Sequence, residues 1–182
     1  MIKKLLITTF IVMGSLAFSQ NLQSLVNKAN NKIKSNDLES AATLLQQVLD
    51  VDPSFAPASI AFSKIWLRKG DLSKANEYAT LAVRIAEDFR PWWEKLNEIR
   101  AGIQIGQKYA QQSNFIKAFD EYEAISEKYP YFSQAHYFMG IAKYKQKDFK
   151  EAALFFENAL NIYPDYNKAK AALNNVKKRL SK

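Results

Sequence analysis

A chain of 182 residues with 48% hydrophobic and 13% aromatic side chains can bury the core of one domain, which excludes a disordered chain. A net charge of +8 favours acidic partners, and the absence of cysteine excludes disulfides, thiol nucleophiles and lipid attachment at a processed cysteine. Five glycines and five prolines leave no Gly/Ser-rich or Pro-rich linker, and the long segments place apolar residues at helical spacing, so an all-α fold is expected.

At the start of the chain Lys3 and Lys4 precede an apolar run from Leu5 to Met13, followed by Gly14, Ser15 and the small residues Ala17 and Ser19. This order of charge, apolar run and small residues is that of an export signal, and it predicts cleavage between Ser19 and Gln20, dividing a leader (1–19) from a mature domain (20–182). Leu5 to Phe18 is fourteen residues, short of the roughly 20 that a spanning helix needs. The expectation is an exported, periplasmic protein with no lipid anchor and no membrane span once the leader is removed. Without Lys3 and Lys4 its net charge is +6.

The mature part repeats one short pattern four times: an Asx residue, a large apolar residue, two free positions and alanine. It reads Asp37, Leu38, Ala41; Asp71, Leu72, Ala75; Asn114, Phe115, Ala118; Asp148, Phe149, Ala152, with offsets of 34, 43 and 34 between the Asx residues. Asp or Asn before a helix can accept a hydrogen bond from an unpaired N–H of the first turn, so each Asx residue predicts a helix start. Glu151, three residues after Asp148, is placed to complete a capping box. From each alanine an apolar stripe runs on at spacings of three and four: Leu45 and Val48; Ala79 and Ala82; Tyr122 and Ile125; Phe156 and Ala159. Three of these helices are expected to stop near Pro53, Pro130 and Pro164.

With these residues the chain resembles the tetratricopeptide repeat family over about residues 22–55, 56–89, 99–132 and 133–166. The family's small residue at the eighth position is met by Ala29, Ser63, Gly106 and Gly140, and its later alanine by Ala41, Ala75, Ala118 and Ala152. The early tryptophan is replaced by Leu25, Ser59, Gly102 and His136. The resemblance implies a right-handed superhelical stack of helix-turn-helix hairpins that binds a protein or peptide in a concave groove. Carried over position by position, the groove includes Asn30, Lys34, Lys64, Arg68, Arg100, Gln107, Gln111, Tyr137, Ile141, Tyr144 and Lys145, with no carboxylate among them. The set with which some members clamp a chaperone's terminal carboxylate is not intact: Asn30 and Arg100 fit it, but Val26, Ala61 and Gln104 replace three others.

Nine extra residues (90–98) separate the second and third repeats and carry Pro91, Trp92 and Trp93. Pro91 suits a first helical position, so the insertion is expected to lengthen the next helix by about two and a half turns. The adjacent tryptophans, about 100° apart on a helix, are candidates either for packing against Phe89 and the preceding hairpin or for anchoring a partner. Residues 167–182 form a capping helix in this reading, apolar along Ala169, Ala172, Leu173, Val176 and Leu180, with a basic tail at Lys177, Lys178 and Arg179. Those cations either complement the helix C-terminus or provide a foot for an anionic envelope polymer or membrane surface.

Catalysis is not expected, nor any cofactor or metal. His136 is the only histidine, and acids such as Asp120, Glu121 and Glu123 crowd one helix as a solvated face would. Export separates the chain from nucleic acid, and no nucleic-acid-binding motif is present. The sequence thus points to an extracytoplasmic scaffold that binds a protein or peptide of acidic or mixed charge. The alternatives are an envelope-polymer or membrane-surface binder that uses the basic tail, and a structural subunit that assembles through its outer faces.

Overall fold

Each Asx residue of the repeated pattern caps a helix. Asp37, Asp71, Asn114 and Asp148 accept hydrogen bonds from the backbone N–H groups of Ser40, Lys74, Lys117 and Glu151 at 2.9 to 3.2 Å. They start four helices of 14 residues: α2 (Leu38–Val51), α4 (Leu72–Ile85), α6 (Phe115–Lys128) and α8 (Phe149–Ile162). α1 (residues 19–34) precedes them, α3 (Ala56–Arg68), α5 (Arg90–Gln111) and α7 (Ser133–Lys145) lie between them, and α9 (Asn167–Leu180) follows. The computed structural model describes residues 19–181, and among them there is no strand. The leader read in residues 1–19 lies, apart from Ser19, outside the described residues.

The turn inside each hairpin has a feature that the repeated pattern did not reveal. The residue before each Asx, namely Asn36, Gly70, Ser113 and Lys147, has positive φ, between 58° and 76°. That left-handed residue lets the next N–H turn back on the preceding helix: Asp37, Asp71, Asn114 and Asp148 donate to the carbonyls of Lys32, Trp66, Tyr109 and Lys143 at 2.9 to 3.0 Å. The same bond limits the capping box read at Asp148. Its N–H, which Glu151 would need as a donor, already serves Lys143, and only the Asp148-to-Glu151 half of the box forms. Lys147 adopts a φ of 66°, which costs an L-residue with a side chain more than it costs glycine. Lys147→Gly is therefore expected to raise stability by about 0.5–1 kcal/mol, read as a higher denaturation midpoint in urea.

Helices pair where a small residue on one meets a larger one on the next. Ala29, Ser63, Gly106 and Gly140 are all buried, as are Ala41, Ala75, Ala118 and Ala152. A Cβ added at Gly106 would lie 2.4 Å from the Tyr122 ring, and one at Gly140 would lie 2.6 Å from the Phe156 ring, so those rings rest directly on helix backbone. The second hairpin pairs Ser63 with alanines, and the Ser63 hydroxyl donates to the Ala75 carbonyl at 2.6 Å.

The long helix α5 has 22 residues, against 13 in α3 and α7, and Pro91 is its second residue, after a 3-10 turn at Glu87–Phe89. Leu96, Ile99 and Ile103 join Ala75 and Ala79 of α4 and Ala118, Tyr122 and Ile125 of α6 in one central core. The closing helix α9 buries Ala169, Leu173 and Val176 against Phe156 and its neighbours.

The second and fourth hairpins also touch. Because Gly70 has no side chain, Ser133 and Tyr166 can pack against the α3–α4 turn, where an added Cβ would meet them at 2.9 and 3.2 Å. Leu67 shares the central core with Phe132 and Ala135, and from the first hairpin Asn36 reaches the Asn161 carbonyl at 3.5 Å. These contacts curve the stack back on itself.

Candidate binding cleft

The curvature encloses a cleft of about 640 Å³ between α1, α3, the start of α5 and the α6–α7 link. One wall is a single face of α1, formed by Asn27, Asn30, Asn31 and Lys34, residues three and four apart and therefore stacked on a helix. Beside it lies α3, packed on α1 through one shared core and contributing Lys64, Leu67 and Arg68. Trp92 stands beside Lys64, and the link contributes Lys128, Tyr129, Pro130, Tyr131 and Phe132. Four cations and no carboxylate line this space.

The cations differ in how they are answered. Lys128 pairs with Glu98, which also accepts from the Tyr129 hydroxyl at 2.9 Å; burial, then Glu98, pushes that phenol up to about 12. Lys34, Lys64 and Arg68 have no carboxylate partner among the described residues. Two of the three rest on rings instead. The Lys64 ammonium lies 5.6 Å from the centre of the Trp92 ring and the Arg68 guanidinium 4.3 Å from that of Tyr131, while Arg68 also donates to Asn36 Oδ1 at 3.3 Å. Burial, then the charges of Lys95 and Lys34, lowers the Lys64 pKa, and burial lowers that of Arg68 against an opposing effect of Tyr131. An anion entering the cleft would relieve the repulsion at Lys64 and meet donors that are already positioned.

The eleven groove positions do not form one surface. Asn30, Lys34, Lys64 and Arg68 meet in the cleft. Arg100 and Gln107 line a separate depression with Lys69, Gln134 and Lys168, and Gln111 and Lys145 are exposed at the ends of α5 and α7. Tyr137, Ile141 and Tyr144 are half-buried, packed in one cluster with Phe156 of α8 and Leu173 and Ala172 of the closing helix. The physical reason is the apolar face of α9, which gains more by covering those side chains than by facing water. The two tryptophans both turn to the preceding hairpin: Trp92 Nε1 donates to Ser63 Oγ at 2.8 Å and Trp93 Nε1 to Thr80 Oγ1 at 3.1 Å. In the basic tail Lys177 pairs with Glu157 at 3.2 Å and Arg179 donates to the Tyr144 hydroxyl at 2.9 Å, while Lys178 is exposed.

Asn27, Asn31, Lys128 and the aromatic residues of the α6–α7 link escaped the sequence reading of the cleft. The Asn27 and Asn31 amides carry no motif, whereas Tyr131 had a signal: its turn, Tyr129-Pro130-Tyr131-Phe132, matches Asp52-Pro53-Ser54-Phe55 and Tyr163-Pro164-Asp165-Tyr166 except that an aromatic replaces Ser or Asp. Tyr131 is 60% exposed and stacks on Arg68, so the departure from pattern marks a cleft residue. His136 lies half-buried on α7 outside this site, and burial, opposed by a bond to the Pro130 backbone, lowers its pKa. Among the described residues no cluster of three or more His, Asp or Glu could hold a metal ion, and no helix is long and apolar enough to cross a membrane.

No curated protein sequence matches the chain. Among solved structures, MamA of AMB-1 is similar at 19% identity, with 87% of this chain and 88% of that one covered and a TM-score of 0.42. YrrB, described as a TPR protein with an unusual peptide-binding site, is similar at 21% identity, over 86% and 97% of the two chains, with a TM-score of 0.41. The first TPR of Spaghetti (RPAP3), solved with an HSP90 peptide, is similar at 16% identity over 90% and 96%, with a TM-score of 0.36. Family models described as tetratricopeptide repeat match residues 26–88 and 133–166, together more than half of the chain; the caps Asp37, Asp71 and Asp148 lie within those spans, and the third hairpin, with Asn114 and Gly106, lies between them. The chain belongs to the tetratricopeptide repeat family.

Proposed function

We propose that this protein is a non-catalytic scaffold that holds a segment of a partner protein in the cleft between α1 and α3, and that it works outside the cytoplasm. The observation that carries the binding role is a concave space with three cations unanswered by any carboxylate, two of them resting on aromatic rings. Such a space suits an acidic peptide, whose carboxylates meet the cations while its backbone meets the Asn amides. The extracytoplasmic setting rests on the leader pattern from Lys3 to Ser19.

The test is affinity capture from envelope extract with the chain from Gln20, beside a cleft variant (Lys64→Glu, Arg68→Glu) and a tail variant (Lys178→Glu). Both variants change side chains without removing α9, whose loss would strip cover from Phe156. The expected result is a defined protein retained by the wild type and the tail variant and reduced at least about tenfold with the cleft variant. Capture of a polymer or lipid that depends on Lys178 would replace this reading with tail-mediated binding.

A further inference from the structure

Resting on the cleft as the binding site, we infer that it selects an extended segment carrying two acidic residues separated by one residue, acid-x-acid. The argument is one of register. Lys64 and Arg68 lie one turn apart on the same face of α3, so their attachment points are about 6 Å apart along the axis. In an extended chain, side chains on one face recur every second residue, about 6.6–6.8 Å apart. Two acids at i and i+2 therefore reach both cations at once. Adjacent acids point to opposite faces, and only one of them can reach α3.

The neighbouring helix α1 favours the extended form. Asn27, Asn30 and Asn31 offer a row of amides along α1, beside the cation pair of α3, and the Lys34 ammonium closes the row. A strand laid in the cleft over these two helices can direct carboxylates to α3 and has amide donors and acceptors near its backbone N–H and C=O groups, which a helical ligand has already spent internally. The rings limit the span. Lys64 lies over Trp92 and Arg68 over Tyr131, so an aromatic side chain accompanies each cation and the α3 wall has two acid positions. Arg68 keeps further N–H groups after its bond to Asn36, enough to take a carboxylate without leaving the Tyr131 ring. Lys128 adds no third position, because Glu98 holds it.

The experiment uses the chain from Gln20 and labelled nine-residue peptides of one composition, with two glutamates at spacing i+1, i+2 or i+4 in a Ser/Ala/Tyr background. Binding is followed by fluorescence anisotropy at low and at physiological salt. The i+2 peptide is expected to bind at least about fivefold tighter than the i+1 and i+4 peptides, and to weaken as salt rises. Lys64→Gln and Arg68→Gln should each abolish that preference. Lys28→Gln, at an exposed position of α1 that does not line the cleft, should keep it, and circular dichroism should show equal helicity for all variants.

Equal affinity for the three spacings overturns the register, as does tighter binding of the i+4 peptide or a preference that survives Lys64→Gln. Tighter binding of an oligouronate than of any peptide overturns it in favour of a glycan. If no acidic peptide binds while envelope capture is still lost with Lys64→Glu and Arg68→Glu, the acid-x-acid rule fails and the scaffold reading stands. If capture also survives the charge reversal, both fall.

Discussion

Phe156→Ala is expected to destabilise the protein by about 3–5 kcal/mol, and to do so locally. Phe156 is 1% exposed and lies on the backbone of α7 at Gly140, in one cluster with Leu173 and Val176 of the closing helix. Its ring centre is 5.9 Å from that of Tyr137, which in turn packs 5.4 Å from Tyr166. Truncation leaves a cavity bordered by three helices, and Gly140, on whose backbone the ring rests, has no side chain to fill it. Repeat stacks are held mainly by neighbouring units, so α7, α8 and α9 should lose hydrogen-exchange protection while α1 to α4 keep most of theirs. Unchanged protection in α9 would mean that the closing helix does not depend on this ring.

A second large effect is expected at Gly106, from the opposite change. An added Cβ would lie 2.4 Å from Tyr122, whose ring is 3% exposed and stacked against Phe138 with centres 5.1 Å apart, so it has nowhere to retreat. Gly106→Val should cost about 2–3 kcal/mol by overpacking, a fall in melting temperature of about 2–4 °C for each kcal/mol in a chain of this size. Gly106→Ala should also destabilise, because the clash exceeds the gain of about 1 kcal/mol that alanine brings to a helix. The first hairpin uses Ala29 and Leu45 at the same two positions, both buried. The pair Gly106→Ala with Tyr122→Leu recreates that combination, and its measured cost should be smaller than the sum of the two single changes. Strict additivity would show that the two positions do not share a contact.

This compensation was half legible in the sequence. Small residues at Ala29, Ser63, Gly106 and Gly140 could be read by their spacing, but not that the two glycines face the two bulkiest partners, Tyr122 and Phe156. Pairing across a hairpin depends on which faces two helices turn to each other, and spacing on one helix does not state that. The left-handed residue before each Asx was missed for a different reason. Asn36, Ser113 and Lys147 have little in common chemically, and their conformation comes from the returning bond to the preceding helix rather than from their side chains.

The groove positions show a similar division. Asn30, Lys34, Lys64 and Arg68 stay together because α1 and α3 are neighbouring first helices of adjacent hairpins. Tyr137, Ile141 and Tyr144 are set apart from them and half-buried, because they pack with α8 and α9. The α6–α7 link enters the cleft because hairpins two and four meet at Gly70, a contact between residues more than 60 positions apart in the chain.

The sequence by itself determined the helices, their Asx caps, the stops near proline and the family, because each of these depends on residues within about one turn of one another or on a pattern repeated at constant offset. Only the tertiary structure decided where the cations of α3 point, which aromatic rings hold them and which groove residues remain open. Those outcomes depend on how far the stack curves, and that curvature is set by contacts between distant hairpins, such as those of Gly70 with Ser133 and Tyr166, that no local spacing encodes.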